Sequence, residues 1–335
     1  MKNLRHPDLQ GSGLNQREPR GHGRPDREEA VLATNRVLRF SSKFQLLSLL
    51  LMLSLAAASH ASERIVSTAG AVTETLFALG AEKEIVAVDV SSVFPEAANA
   101  LPRIGYARQL SAEGILSMNP TVVFATEDAG PPEVIKQLTS AGVKVVPLSN
   151  RHTPEAAAER IIAIGDAINH RPAAKSLVEN LKTDLELAQA QVQKSDARPK
   201  VLFIYARAGG VMNVSGTGTS ADAMITLAGG VNAVQGFENY KPLTAEGAVA
   251  AAPDFILVTS RGLESSGGID GLLKHPGLAL TPAGKEKKVI VMDDLFLLGF
   301  GPRLGQAARE LCEQLHPGSK TVGKREVGSP PPVVP

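Results

Sequence analysis

Tryptophan is missing from this 335-residue chain, tyrosine occurs three times, and aromatic residues of all kinds reach only 4%. Cysteine is scarcer still: Cys312 stands alone. That excludes an intramolecular disulfide, whatever the compartment permits. An excess of one charge is also lacking. The 35 basic and 34 acidic residues leave a net +1, so no global field draws the chain to nucleic acid. What the chain does have is aliphatic. A hydrophobic content of 43% suffices for one or two sizeable cores.

The two ends differ from the rest. Residues 1–35 are polar and rich in Arg, Gly and Pro, without apolar periodicity, and no packed structure is expected there. Within residues 36–61, Arg36, Arg39 and Lys43 precede an apolar run over 44–58 and then Ser59-His60-Ala61. This is the pattern of a secretory signal cut after Ala61. The run falls short of the roughly 20 residues that a membrane span needs. A signal normally sits at the start of its chain, so translation is expected to begin downstream, at Val37 read from a non-AUG codon. No cysteine stands at the cleavage position to carry a lipid, so the mature protein is expected free in a periplasm. Residues 317–335 end in Pro330-Pro331-Pro332 and read as a disordered tail.

Between the ends the chain repeats itself. Ser111-Ala112-Glu113-Gly114 leads to Pro120 and the apolar Val122-Val123-Phe124-Ala125; Thr244-Ala245-Glu246-Gly247 leads to Pro253 and Phe255-Ile256-Leu257-Val258. A second pair of blocks matches around Glu74 and Asp222. The offsets are 133 residues for the first pair and 148 for the second, so the first copy carries 15 extra residues, within 91–110. Two copies of one unit predict two similar lobes with a site between them. The inserted stretch is expected to be dispensable for the fold and is the place to look for a ligand.

Short apolar runs alternate with helical patterns, which predicts an α/β fold with parallel-type central sheets. Strands are expected over 64–67, 85–88, 121–125 and 143–146, then over 200–205, 255–259 and 289–292. The first lobe is expected over 62–152 and the second over 199–316. Residues 153–198 are helical, and Pro172 opens a long helix striped by Ala174, Leu177, Val178, Leu181, Leu185, Ala188 and Val192. A long helix between lobes is a rigid connector that allows only a small hinge.

At Gly105-Tyr106-Ala107-Arg108-Gln109-Leu110-Ser111-Ala112-Glu113-Gly114 the chain resembles the periplasmic haem-binding proteins of haem-uptake ABC transporters. These belong to the helical-backbone class of substrate-binding proteins. The likeness runs from about residue 64 to 316 and includes Val201-Leu202-Phe203, Ser220-Ala221-Asp222-Ala223-Met224 and Leu298-Gly299-Phe300-Gly301. It implies ferric haem b as transported ligand, an inner-membrane permease with its ATPase as partner, an outer-membrane haem receptor upstream, a monomeric protein and no catalysis.

The resemblance makes Tyr106 the axial ligand to the iron, with Arg108 beside it. A phenol ionises near pH 10, and a ferric ion supplies most of the help it needs to bind as the anion. A guanidinium two residues along can donate to the phenolate. Some family members use a histidine near the end of the second lobe's first strand, but here Tyr205-Ala206-Arg207-Ala208-Gly209-Gly210 has none. Five-coordinate iron, or a weak sixth ligand, is therefore expected. The mature histidines His152, His170, His275 and His316 read as surface residues. Arg207, Lys241 and Arg151 are candidate cations for the haem propionates. Tyr240, placed before Thr244 much as Tyr106 precedes Ser111, is a candidate pocket wall. Glu74 and Asp222 are implied to dock on arginines of the permease.

Three other readings compete. The same fold could carry a ferric siderophore or cobalamin. A tetrapyrrole chelatase would have two α/β lobes, but its substrates are cytoplasmic and this chain carries an export signal. A carbohydrate-directed enzyme would need a convergent catalytic pair that is not evident. Asp293-Asp294 suits a helix start better than a metal site. The glycines around 209 and 216 lack the Lys-Ser/Thr of a phosphate loop.

Overall fold

The computed structural model describes residues 63–207 and 211–317, with Arg207 in its backbone alone. The leader over 1–35, the signal over 36–61 and the tail after residue 317 lie outside the described residues. The first lobe is built on β1 (Ile65–Ser67), β2 (Ile85–Val88), β3 (Val122–Thr126) and β4 (Lys144–Leu148). All four are parallel, in the order β2-β1-β3-β4. Its central strands are buried on both faces, with Ile65, Val66, Val123 and Phe124 at 0% exposure. That is why they read as unbroken apolar runs and not as alternation. Helices α1 (Gly70–Ala78), α2 (Ala112–Leu116) and α3 (Pro132–Ser140) belong to this lobe. Next come α4 (Pro154–Ala167) and α5 (Arg171–Gln193), α5 with Pro172 in its first turn.

The second sheet is mixed. Strands β5 (Lys200–Arg207), β9 (Phe255–Thr259) and β10 (Val289–Met292) are parallel, and β7 (Val231–Asn232) runs parallel to the start of β5. Strands β6 (Val211–Ser215) and β8 (Tyr240–Pro242) extend the sheet antiparallel. The sequence pattern gives no sign of β6, β7 or β8. They are short, and all three residues of the edge strand β8 are exposed, so no apolar run marks them. The helices of this lobe are α6 (Ser220–Leu227), α7 (Ala245–Ala251), α8 (Ser260–Ser265), α9 (Gly268–Leu273), α10 (Pro282–Lys285), α11 (Asp294–Leu298) and α12 (Leu304–Leu315).

The repeated motif turns out to be a cap, a helix and a reversal. The Ser111 hydroxyl accepts from the Gly114 N–H at 3.2 Å, and the Thr244 hydroxyl accepts from the Gly247 N–H at 3.0 Å, which satisfies a donor at each helix start. At the other end Asn119 and Ala252, 133 residues apart like the caps, both take left-handed backbone. Each turns the chain into a buried proline and a central strand. Asp293 likewise caps α11, accepting from Phe296 N–H at 2.9 Å.

One apolar cluster passes without a break from Ile65, Leu76 and Phe124, through Ile161, Leu177 and Leu181, to Phe203, Ile225 and Leu257. The lobes therefore share a core as well as a connecting helix. Close approach tightens the joint, for a Cβ on Gly305 of α12 would stand 2.6 Å from the Leu181 carbonyl oxygen of α5. Polar ties cross it too. Arg160 of α4 donates to the Phe300 carbonyl at 2.7 Å. Arg303 grips Glu74 of α1 through two N–H groups while its guanidinium lies 3.7 Å from the centre of the Phe94 ring.

Candidate functional site

In open parallel sheets, ligands gather beyond the carboxyl ends of the strands, and the loop carrying Tyr106 lies there. Residues 102–105 run beside the end of β2: Val88 N–H donates to Pro102 O at 2.9 Å and Val90 N–H to Gly105 O at 3.0 Å. Gly105, at φ +90°, turns the chain at an angle that a side chain resists. Tyr106 follows at the start of a single 3₁₀ turn, Ala107–Gln109. The next loop is stitched to this one by Gly130 N–H to Ala107 O at 2.9 Å and Leu110 N–H to Gly130 O at 2.8 Å.

The inserted stretch is not an appendage, contrary to expectation. Ser92 and Ala98 are fully buried, and Asp89 accepts from the Ser92 hydroxyl at 2.6 Å. Thr73 and Ser67 continue that chain of hydroxyls into α1 and β1. Arg103 fastens the segment further by donating to the carbonyls of Asp89 and Ser92 at 2.8 and 2.7 Å. The Tyr106 loop thus stands on a polar network that is part of the lobe.

Tyr106 is 47% exposed, a high value for an aromatic residue in so aromatic-poor a chain. Its hydroxyl accepts from Arg108 Nη1 at 3.3 Å. On its other side the same guanidinium donates through Nε and Nη2 to one oxygen of Asp128, at 3.0 and 2.7 Å. Burial works against ionising Asp128, but the hydrogen bonds from Arg108 and Thr126 outweigh it and hold the carboxyl below its usual range. The site is therefore a phenol, a guanidinium and a carboxylate in a row. Asp128 carries no mark in the sequence beyond its place after a strand.

On the second lobe Tyr240 opens β8 and is 40% exposed, its ring tilted against Tyr205 with centroids 5.4 Å apart. Val211, at the start of β6, is 54% exposed. The Lys241 ammonium lies 4.5 Å from the centre of the Phe237 ring, a cation–π contact. The Arg207 side chain lies outside the described residues. Arg151, in the first lobe, donates to Glu159 at 3.0 Å and to the Ser149 hydroxyl at 3.2 Å. It is exposed enough for those bonds to be exchanged at little cost.

The structure corrects two expectations. Glu74 does not offer its carboxylate to a partner. It is 4% exposed, and the price of its desolvation, which pushes its pKa up, is offset by Arg303. Asp222 is half-buried and accepts from Asn232 Nδ2 at 2.9 Å. The exposed pair related by the repeat is Glu113 and Glu246, each in the first turn of its capped helix. The repeat itself was the signal for them. Nor are all histidines on the surface. His316 is 5% exposed with Nδ1 3.1 Å from the Ser195 hydroxyl, and His170 Nδ1 meets the Leu79 carbonyl at 2.7 Å. His152 is exposed, its ring edge-on to Phe300 with centroids 5.4 Å apart.

Two α/β lobes, one on a parallel and one on a mixed sheet, a helical joint and a polar-tipped aromatic at the strand ends define a substrate-binding protein. The chain belongs to the Periplasmic binding protein family, which matches residues 65–295. Among solved structures it is similar to the periplasmic heme-binding protein RhuT from Roseiflexus sp. RS-1. That similarity is 44% identity over 77% of this chain and all of that one, with a TM-score of 0.74. It also resembles a vitamin B12-binding protein of Photorhabdus laumondii, at 27% identity over 81% of this chain and 94% of the relative. A third relative is the uncharacterized ABC transporter substrate-binding lipoprotein YvrC of Bacillus subtilis, at 26% over 76% and 80%.

Proposed function

We propose that this protein binds ferric haem b in the periplasm through the Tyr106 phenolate and delivers it to an inner-membrane ABC importer. The observation that carries the reading is the exposed phenol, with a guanidinium donating to its oxygen at 3.3 Å, on a loop at the strand ends. An anionic oxygen ligand favours ferric over ferrous iron, which suits carrying haem and not activating oxygen. The similarity to RhuT supports haem as cargo. The exposed aromatic and aliphatic groups Tyr240, Val211 and Val90 are assigned to the porphyrin faces. Arg207, Lys241 and Arg151 are assigned to its propionates, where guanidinium forks match carboxylates.

Export follows from the signal segment, with cleavage after Ala61. The importer partner is supported by the resemblance to an ABC substrate-binding lipoprotein. The exposed Glu113 and Glu246, one on each lobe, are assigned to docking on its permease in place of Glu74 and Asp222. An upstream outer-membrane haem receptor completes the route, the carrier acts as a monomer, and no catalytic step is assigned.

A second reading, cobalamin as cargo, is favoured by the Photorhabdus relative. Titration with hemin and with cyanocobalamin separates the two. The proposal expects a visible spectrum of high-spin ferric haem with a tyrosinate band. Tyr106→Ala is expected to abolish that band and weaken binding by at least about 100-fold. Unchanged hemin binding in that variant refutes the tyrosinate assignment.

A further inference from the structure

We propose that Asp128 is a positioning residue for haem iron: by clasping the Nε and Nη2 edge of Arg108 it aims Nη1 at the Tyr106 oxygen. The inference rests on Tyr106 being the iron ligand and deepens that reading. Arg108 is long, and its side chain is 61% exposed. Left alone, such a group samples many rotamers, and holding it in one costs conformational entropy. The guanidinium is planar with a fixed fork of donors. Once two of its N–H bonds point at one carboxylate oxygen, at 3.0 and 2.7 Å, the direction of the third nitrogen is set. That third nitrogen is the one 3.3 Å from the phenol.

The carboxylate is itself held. Asp128 sits in the turn after β3, closed by the Ala129 N–H donating to the Thr126 carbonyl at 2.8 Å, and belongs to the loop sewn to the Tyr106 loop through Gly130. Ligand, donor and aimer therefore move as one piece.

A carboxylate here has two opposed effects on the ligand. It fixes the donor, and it also offsets part of the positive charge that stabilises the phenolate. The charge effect is the weaker. Arg108 and Asp128 are 61% and 31% exposed, so solvent and salt screen their long-range field. A hydrogen bond aimed at a charged oxygen depends steeply on angle and distance. Geometry wins, and removing Asp128 weakens the site.

The test uses the whole mature protein and reads the tyrosinate-to-iron charge-transfer band and the rate of haem loss to apomyoglobin. Asp128→Ala is expected to shift the band and speed haem loss about tenfold, the low end of the cost of removing an outer partner of a metal ligand. Arg108→Ala is expected to do the same, and the double variant to do no more, because the two residues act in series. Asp128→Asn keeps an acceptor for one guanidinium N–H and is expected to lie near the unaltered protein. Where the alanine variant folds poorly, as judged by circular dichroism, Asp128→Leu is read in its place, with the same shifted band and faster haem loss expected and an unchanged band and rate overturning the proposal.

Asp128 is overturned as a positioning residue by an alanine variant with an unchanged band and release rate. Effects of Asp128→Ala and Arg108→Ala that multiply in the double variant overturn it equally. Tyr106→Ala keeps the two claims apart. If it retains the band, the ligand assignment falls and this inference falls with it. If it loses the band while Asp128→Ala changes nothing, only this inference falls.

Discussion

Glu74 and Arg303 are 229 residues apart in sequence and meet in the joint between the lobes. A buried pair is worth little against a well-packed apolar one, but removing one partner strands the other. Glu74→Ala is therefore expected to cost about 3 kcal/mol in urea unfolding. A Glu74→Gln, Arg303→Met double variant is expected to cost clearly less. Cys312 gives a second residue-scale prediction. Burial, helped by Glu313, pushes its thiol up to about 11, against about 8.5 for a free thiol. With the folded value raised, its stabilisation is full below pH 8.5 and fades as pH climbs towards 11. Stability measured over that window should fall, and Cys312→Ala should remove that part of the fall. Below pH 8.5 the thiol should ignore disulfide reagents until the protein unfolds. Tyr106 and Arg108 stand out in the sequence through the family resemblance of the run 105–114, and the structure adds that their side chains meet. The sequence hid Asp128 and Arg303, whose partners are distant in the chain and are chosen by tertiary packing alone.

At the scale of elements, strands written as unbroken apolar runs announced themselves. Residues 85–88, 255–259 and 289–292 were each read from the sequence with the bounds found in the structure. The exposed edge β8 did not, because exposed residues carry no apolar signature. It is nonetheless the element that holds Tyr240 and Lys241. The short helix α8 escaped as well, although it starts at a capping side chain, Thr259, whereas the start of α11 at Asp293 was legible as a cap. The packing of α12 on α5 gives a sharp expectation. Gly305→Ala places a methyl group against a backbone carbonyl that cannot give way. A loss of about 1–3 kcal/mol is expected from such overpacking, read as a lower urea midpoint. The capped helices α2 and α7 carry Glu113 and Glu246 outward. Replacing both with Gln should leave hemin affinity unchanged while lowering haem uptake about tenfold, since exposed ion pairs contribute roughly 0.2–1 kcal/mol each.

For the whole molecule, the duplication correctly foretold twin lobes, and the striped helix foretold a stiff connector. It did not foretell that the apolar core would run on from one lobe into the other, because contacts between distant segments leave no periodic trace. Such a core resists wide hinge motion. Haem loading is therefore expected to change the radius of gyration by less than about 1 Å, which small-angle scattering can read; a contraction of several ångströms would contradict the shared core.

That unbroken interior also bears on traffic. A carrier that hardly changes shape shows an importer the same outer face whether it is full or empty. Under the proposed function, vacant copies should compete with laden ones for the permease. Overproducing the protein when haem is limiting should then slow import, and the permease must sense the pigment itself before committing ATP.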